Sequence, residues 1–63
     1  MQVEIINHDH LAIDADLEVV PRTGEIFTGT TENGDEVSGT VRDVEHSYNA
    51  ARGGHSIQVY LKP

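Results

Sequence analysis

The stretch LAIDADLEV, residues 11–19, alternates along its length between two kinds of side chain. The odd positions carry Leu, Ile, Ala, Leu and Val, and the even positions carry Ala12, Asp14, Asp16 and Glu18. Successive side chains of a β-strand point to opposite faces, so this alternation predicts a half-buried strand. One face of that strand is expected to be apolar and the other acidic.

Four turn signals divide the rest of the chain into segments of strand length. They are Asn7–Asp9, Pro21–Gly24, Asn33–Gly34 and residues 50–54. Spacing of roughly 10–15 residues between such signals is typical of successive hairpins. No window shows a convincing helical apolar period. The sequence therefore predicts five strands joined by hairpins.

The first two turns predict specific strand pairs. Because a one-residue slip would move an apolar row to the wrong face, the apolar positions are aligned with each other. This alignment places Ile5 opposite Leu11 in the first hairpin, and Val19 opposite Ile26 across the Pro21–Gly24 turn.

The last two turns are treated in the same way. Asn33–Gly34 is a strong signal for a two-residue hairpin loop, which would place Ile26 opposite Val41. In the final hairpin His46 is expected opposite Val59, on the apolar face, with His55 at the other end. His46 could be a pH-sensitive group or catalytic base, or a histidine at the rim of the core.

The apolar phase changes from odd to even positions between Val41 and Val44. A β-bulge near Arg42–Asp43 would return both halves of a long strand to one face. The predicted fold is all-β: a five-stranded antiparallel meander curled into an SH3-like or OB-like barrel. Residues 1–63 are expected to form a single small β domain. The core is expected to hold thirteen aliphatic side chains: Val3, Ile5, Leu11, Ile13, Leu17, Val19, Ile26, Val37, Val41, Val44, Ile57, Val59 and Leu61.

Composition limits the function classes. The net charge is −7, with only four basic residues, which argues against direct binding to nucleic acid or to membranes. The chain has no cysteine, and a domain of about 60 residues is marginally stable alone, so a protein partner or self-association into a homo-oligomer is expected. The start of the sequence lacks the pattern of a signal peptide, which predicts an intracellular location.

Few residues are arranged for chemistry. His8, Asp9 and His10 are the densest group of metal-ligand residue types, but a structural zinc site needs about four ligands, and the same residues are common in turns. Asp14, Asp16 and Glu18 share one exposed strand face, where carboxylates behave alike instead of dividing into acid and base. We therefore predict no enzyme activity, no cofactor and no metal site; His8, Asp9 and His10 are the only metal candidates.

A partner-binding surface is the remaining candidate. With the core face assigned, Phe27, Val20 and Tyr60 are expected to point outward, beside the acidic row formed by Asp14, Asp16 and Glu18. Aromatic side chains anchor protein interfaces, and surrounding charges select the sign of the partner. These six residues are the predicted partner-binding residues.

The sequence favours a non-enzymatic protein-interaction or assembly module that acts through an outer β-surface or an unpaired strand edge. One alternative is an acidic inhibitor that mimics nucleic acid toward a basic enzyme. A second is a metal-binding protein that uses His8 and His10. In size and strand pattern the chain resembles short β-proteins encoded by phages or prophages. No motif carries this resemblance, and no residue role is transferred from it.

Overall fold

A computed structural model describes all residues, 1–63, and contains five β-strands and no helix. The strands are β1 (Gln2–Ile6), β2 (Ala12–Asp16), β3 (Ile26–Thr30), β4 (Glu36–Asn49) and β5 (Gly54–Lys62). They form one sheet in the order β2-β1-β5-β4-β3, curled into a half-barrel. The predicted all-β class and small, curled, barrel-like sheet are confirmed. No helix long and apolar enough for a membrane span is present.

The core lies on the concave face of the three central strands, as period-two alternation predicts. Its fully buried members are seven aliphatic side chains: Val3, Ile5, Val37, Val41, Ile57, Val59 and Leu61. The prediction of burial is wrong for three other residues, because Leu11 is 46% exposed and Val19 and Ile26 are each 77% exposed. All three lie at or beyond the ends of the edge strands.

The strand order differs from the predicted meander. β1 pairs in parallel with β5, with Ile5 opposite Val59, and β2 and β3 become the two edges of the sheet. The expected pairing of Val19 with Ile26 is therefore wrong. The reason is local: the amide of Leu17 already bonds to the carbonyl of Met1, just before β1 begins. The chain then crosses to the opposite edge and packs Val20 against the core.

The β3–β4 hairpin is shifted by one residue from its predicted register, because its loop is longer than expected. The Thr31 amide bonds to the Asp35 carbonyl at 2.8 Å, which leaves three loop residues, Glu32 to Gly34. Gly34 has a φ of 88°, whereas Asn33 does not have a positive φ. A type I′ turn would need positive φ at both. The loop is instead a type I turn followed by a left-handed glycine.

This one-residue shift exchanges the two faces of β3. Phe27 is now opposite Gly39, and Ile26 is opposite Thr40. Phe27 packs half-buried against the core, and Ile26 takes the solvent face. The expected outward orientation of Phe27 is therefore wrong.

The first hairpin has the same kind of three-residue loop. The Asn7 amide bonds to the Leu11 carbonyl at 2.8 Å, and His10 takes the left-handed position with a φ of 70°. Ile5 consequently lies opposite Ile13 instead of Leu11. This shift is by two residues, so the inward face of β2 stays as predicted, and Ile13 is half-buried.

The predicted bulge in β4 is confirmed. Val41 is opposite Leu61 and Asp43 is opposite Tyr60, so Arg42 is the extra residue. Beyond the bulge the even positions face inward, as expected. The register is nevertheless shifted by two, because His46 lies opposite Ile57 and not Val59.

Candidate partner-binding groove

The two edge strands β2 and β3 border an open groove where the half-barrel does not close; we call it the seam groove. It has a cavity volume of about 620 Å³ and runs along both strands and the β3–β4 loop. Its apolar lining is Leu11, Ile13, Ala15, Leu17 and Phe27. Four of these five side chains are half-buried and pack against the core, so the groove is a continuation of the core that is open to solvent.

Phe27 forms the aromatic part of the groove and lies over Gly29. A Cβ atom built on Gly29 would be 3.0 Å from Cε2 and 3.2 Å from Cζ of the Phe27 ring. The ring therefore uses the space that a side chain at Gly29 would fill. Covering of a strand glycine by a neighbouring aromatic ring protects backbone that would otherwise be bare.

The β2 edge presents backbone hydrogen-bonding groups to the groove. The Met1 amine donates to the Leu17 carbonyl at 2.7 Å, and the Leu17 amide donates back to Met1 at 2.8 Å. In an antiparallel ladder such hydrogen-bonded pairs alternate with unbonded ones. The odd residues of β2 therefore bond to β1, and the amides and carbonyls of Ala12, Asp14 and Asp16 point away from it.

The β3 edge has the same property. The Val41 amide donates to the Glu25 carbonyl, and the Thr31 amide donates to the Asp35 carbonyl. These two bonds flank β3, so its odd residues are the ones that hydrogen-bond to β4. By the same alternation the backbone groups of Ile26, Thr28 and Thr30 face outward. Two free strand edges thus border one apolar groove.

The rim of the groove is acidic. Asp14, Glu32 and Asp35 line it, and no basic side chain does. None of the three carboxylates takes part in an ion pair, since the three ion pairs of the chain lie elsewhere. With a net charge of −7 on the whole chain, the groove attracts cations and repels anions.

The predicted apolar partner-binding residues are not brought together. Phe27 lies in the seam groove, whereas Val20 lines a different cavity, beside Pro21 and Val44. The expected outward orientation of Val20 is also wrong, because Val20 is half-buried against the core.

Tyr60 lies on the convex face. Its hydroxyl donates to Oε1 of Glu45 at 3.1 Å, and the Arg42 guanidinium is 5.7 Å from its ring centroid. The hydrogen bond to the Glu45 carboxylate holds the pKa of the Tyr60 hydroxyl above its usual value of 10.0. Tyr60 thus belongs to a small polar cluster and not to the groove.

The three predicted acids are all exposed but have different surroundings. Asp14 lines the seam groove. Asp16 accepts a hydrogen bond from the Met1 amine at 2.9 Å, and this bond lowers the pKa of the Asp16 carboxyl. Glu18 lies beyond the end of β2. Only Asp14 is thus placed beside Phe27, in the same groove.

His8, Asp9 and His10 form the loop of the first hairpin. Oδ1 of Asp9 accepts a hydrogen bond from the Leu11 amide at 3.0 Å, and this bond lowers the pKa of the Asp9 carboxyl. Asp9 therefore stabilises the turn. No cluster of three or more His, Cys, Asp or Glu side chains is placed to hold a metal ion.

One pair was missed by sequence reasoning. His46 and His55, expected at opposite ends of the last hairpin, are in contact, with Nδ1 of His46 3.0 Å from Nε2 of His55. The two-residue register shift brings them into diagonal positions, because His46 is opposite Ile57 and His55 is opposite Tyr48.

The chain matches no protein-family model, and no curated protein and no solved structure shows significant similarity to it.

Proposed function

We propose that this protein is a non-enzymatic interaction module that receives an extended segment of a partner protein in the seam groove. The observation that carries the proposal is the presence of two free strand edges on either side of a half-buried apolar lining. A strand added there would hydrogen-bond to β2, to β3 or to both, and would cover Ile13, Leu17 and Phe27. Recognition of peptides by strand addition uses these features.

The partner segment that fits is one in which basic and apolar residues alternate. Its apolar side chains would point inward onto the groove lining, and its Lys or Arg side chains would point outward, where the unpaired Asp14 projects from β2. Opposite charges on adjacent strands each add about 0.2–1 kcal/mol. A second copy of this chain fits less well, because both copies carry a charge of −7.

The expected affinity is moderate. Each edge hydrogen bond contributes about 0.5–1.5 kcal/mol net, and association costs at least about 4 kcal/mol in lost freedom of motion. Since β2 and β3 are each only five residues long, binding in the micromolar range is expected. Such a module would act inside the cell, where its partner is another protein.

A peptide titration tests the proposal. The probe is an end-capped peptide as long as β2 in which Val and Lys alternate, and binding is followed by amide chemical shifts. A peptide of the same composition with its Lys residues grouped together controls for simple charge attraction. Preferential binding of the alternating peptide supports strand addition. Equal binding of both would indicate a general acidic surface and would overturn the proposal.

Two variants at Thr28 separate backbone from side-chain effects. Thr28→Pro removes an outward amide, and proline is tolerated on a strand edge where its nitrogen faces solvent. Thr28→Val retains that amide. A peptide that pairs with β3 should lose affinity for Thr28→Pro and keep it for Thr28→Val. An N-methylated peptide loses the hydrogen bonds that its own amides would donate to the edge carbonyls, without any change in the protein, and undiminished binding of that peptide would refute edge pairing.

A further inference from the structure

The outer half of the β4–β5 hairpin extends beyond the rest of the sheet. β3 pairs with β4 only as far as Thr40, and β1 pairs with β5 only from Gln58. Residues 45–57 therefore form a two-stranded arm with exposed side chains near its tip. His46 and His55 lie on the same face of this arm, on opposite strands, and both are exposed.

The two imidazole rings meet edge to edge. Nδ1 of His46 and Nε2 of His55 are 3.0 Å apart, while the ring centroids are 5.2 Å apart and the planes are inclined by 19°. Because the two nitrogens are much closer together than the two centroids, and the ring planes are nearly parallel, the rings lie side by side and not face to face. One nitrogen donates its hydrogen to the lone pair of the other.

Two convergent imidazole nitrogens are also the donor set of a metal chelate. Zinc–nitrogen bonds are about 2.0–2.1 Å long, so two nitrogens on a tetrahedral zinc ion lie about 3.3 Å apart. The separation of 3.0 Å in this structure is close to that value. To bind one ion, the donor ring moves its hydrogen to its other nitrogen, and each exposed ring rotates by about 35° so that both lone pairs point at the ion.

We propose that His46 and His55 form a bidentate site for a divalent transition-metal ion of the Zn²⁺, Ni²⁺ or Cu²⁺ class. His46 coordinates through Nδ1 and carries its hydrogen on Nε2, and His55 coordinates through Nε2 and carries its hydrogen on Nδ1. Water completes the coordination, because no third His, Cys, Asp or Glu side chain of the chain joins the pair. Neutral imidazole is a ligand that these ions share.

The net charge of the chain favours a cation, whereas Arg52, which lines the same cavity as His55, opposes one locally. The whole chain has a net charge of −7. Arg22, which lines the same cavity as His46, is paired with Glu25 at 3.9 Å. The histidine site is separate from the seam groove, since neither histidine lines the groove. The two sites can therefore be tested independently of each other.

A zinc titration of the untagged protein tests the site. Zinc chloride is added in a buffer that does not coordinate metals, and the imidazole protons of the four histidines are followed by NMR. The expected result is saturation at one ion per chain, with the largest shifts at His46 and His55. Affinities should follow the order in which Cu²⁺ binds more tightly than Ni²⁺ or Zn²⁺.

Matched variants decide the assignment. His46→Asn and His55→Asn should each weaken zinc binding at least tenfold, because one imidazole remains and the chelate is lost. The double variant His8→Asn/His10→Asn removes the other two histidines and should bind zinc as the wild type does. All four positions are exposed, and amide spectra of each variant verify its fold. Unchanged binding in His46→Asn and His55→Asn, or a wild type that does not saturate, would overturn the proposal.

Discussion

Gly29→Ala should have opposite effects on stability in two backgrounds, because the Phe27 ring occupies the space of the missing side chain. In the wild type the added methyl group would be 3.0 Å from Cε2 of that ring, closer than most such atoms pack. The ring must give way by a few tenths of an ångström or the strand must move. In a Phe27→Ala background the obstacle is absent.

The magnitudes follow from the geometry. Glycine inside a strand costs about 0.5–1 kcal/mol relative to alanine, so Gly29→Ala should stabilise the Phe27→Ala protein by about that amount. In the wild type, an off-rotamer ring costs about 0.5–1.5 kcal/mol, and some packing of the half-buried ring is lost as well. The net effect there should be a destabilisation of up to about 1 kcal/mol. The coupling energy between the two sites is then about 1–2 kcal/mol, within the range for residues in contact.

Urea unfolding of the four proteins in this double-mutant cycle measures the coupling. Phe27→Ala alone should lower the free energy of unfolding by about 2–3 kcal/mol, somewhat less than the loss of a fully buried Phe. Additive effects of the two substitutions would refute the placement of the Phe27 ring over Gly29. A Phe27→Ala protein of wild-type stability would refute its packing against the core.

Three further substitutions test other parts of the structure. Gly39→Ala should destabilise the fold by about 1–3 kcal/mol in urea unfolding, because a Cβ there would be 2.5 Å from a backbone carbonyl oxygen of β5; wild-type stability would contradict this close approach. Glu45→Ala should lower the pKa of Tyr60 toward its usual value, since the carboxylate that accepts its hydrogen is removed, and a phenolate absorbance titration shows whether the midpoint moves. Asp9→Asn should be less stable than the wild type at neutral pH. The hydrogen bond from the Leu11 amide lowers the pKa of the Asp9 carboxyl in the folded chain. The stabilisation by the Asp9 carboxylate is therefore present above about pH 4 and is lost as the pH falls through the folded pKa. A stability difference between Asp9→Asn and the wild type that does not change with pH would contradict this.

The centre of the fold could be predicted from the sequence because strand alternation is a strong signal. Val3 and Ile5 in β1, and Ile57, Val59 and Leu61 in β5, are buried as the odd-position pattern requires. The bulge at Arg42 also followed from the pattern, since only an extra residue reconciles odd and even apolar positions within one strand. These inferences depend on which face a residue takes and not on which strand lies beside it.

The seam groove could not be predicted, because it depends on loop geometry and strand order. Asn33–Gly34 suits a two-residue loop or the end of a three-residue loop, and the difference of one residue decides whether Phe27 or Ile26 faces inward. The Pro21–Gly24 segment looks like a hairpin turn, but it crosses between the sheet edges. The parallel pairing of β1 with β5 joins opposite ends of the chain, and no local pattern indicates it.

The contact between His46 and His55 could not be predicted for a related reason. A two-residue shift in register leaves every side chain on its expected face, so the alternation of apolar positions does not detect it. It does change which residues meet across the hairpin, and it brings His46 beside His55. The hydrophobic pattern alone therefore indicates faces more reliably than it indicates cross-strand contacts.

Residue-by-residue hydrogen exchange of the amides of β2 and β3 tests the open seam most directly. In the free protein the Asp14 and Thr28 amides should exchange rapidly, while their neighbours Ala15 and Gly29 exchange slowly. Adding the alternating Val–Lys peptide should slow exchange at Thr28, at Asp14 or at both. Slow exchange of both amides before any peptide is added would show that the edges already pair with each other. Rapid exchange that the peptide leaves unchanged would show that the groove does not accept a strand.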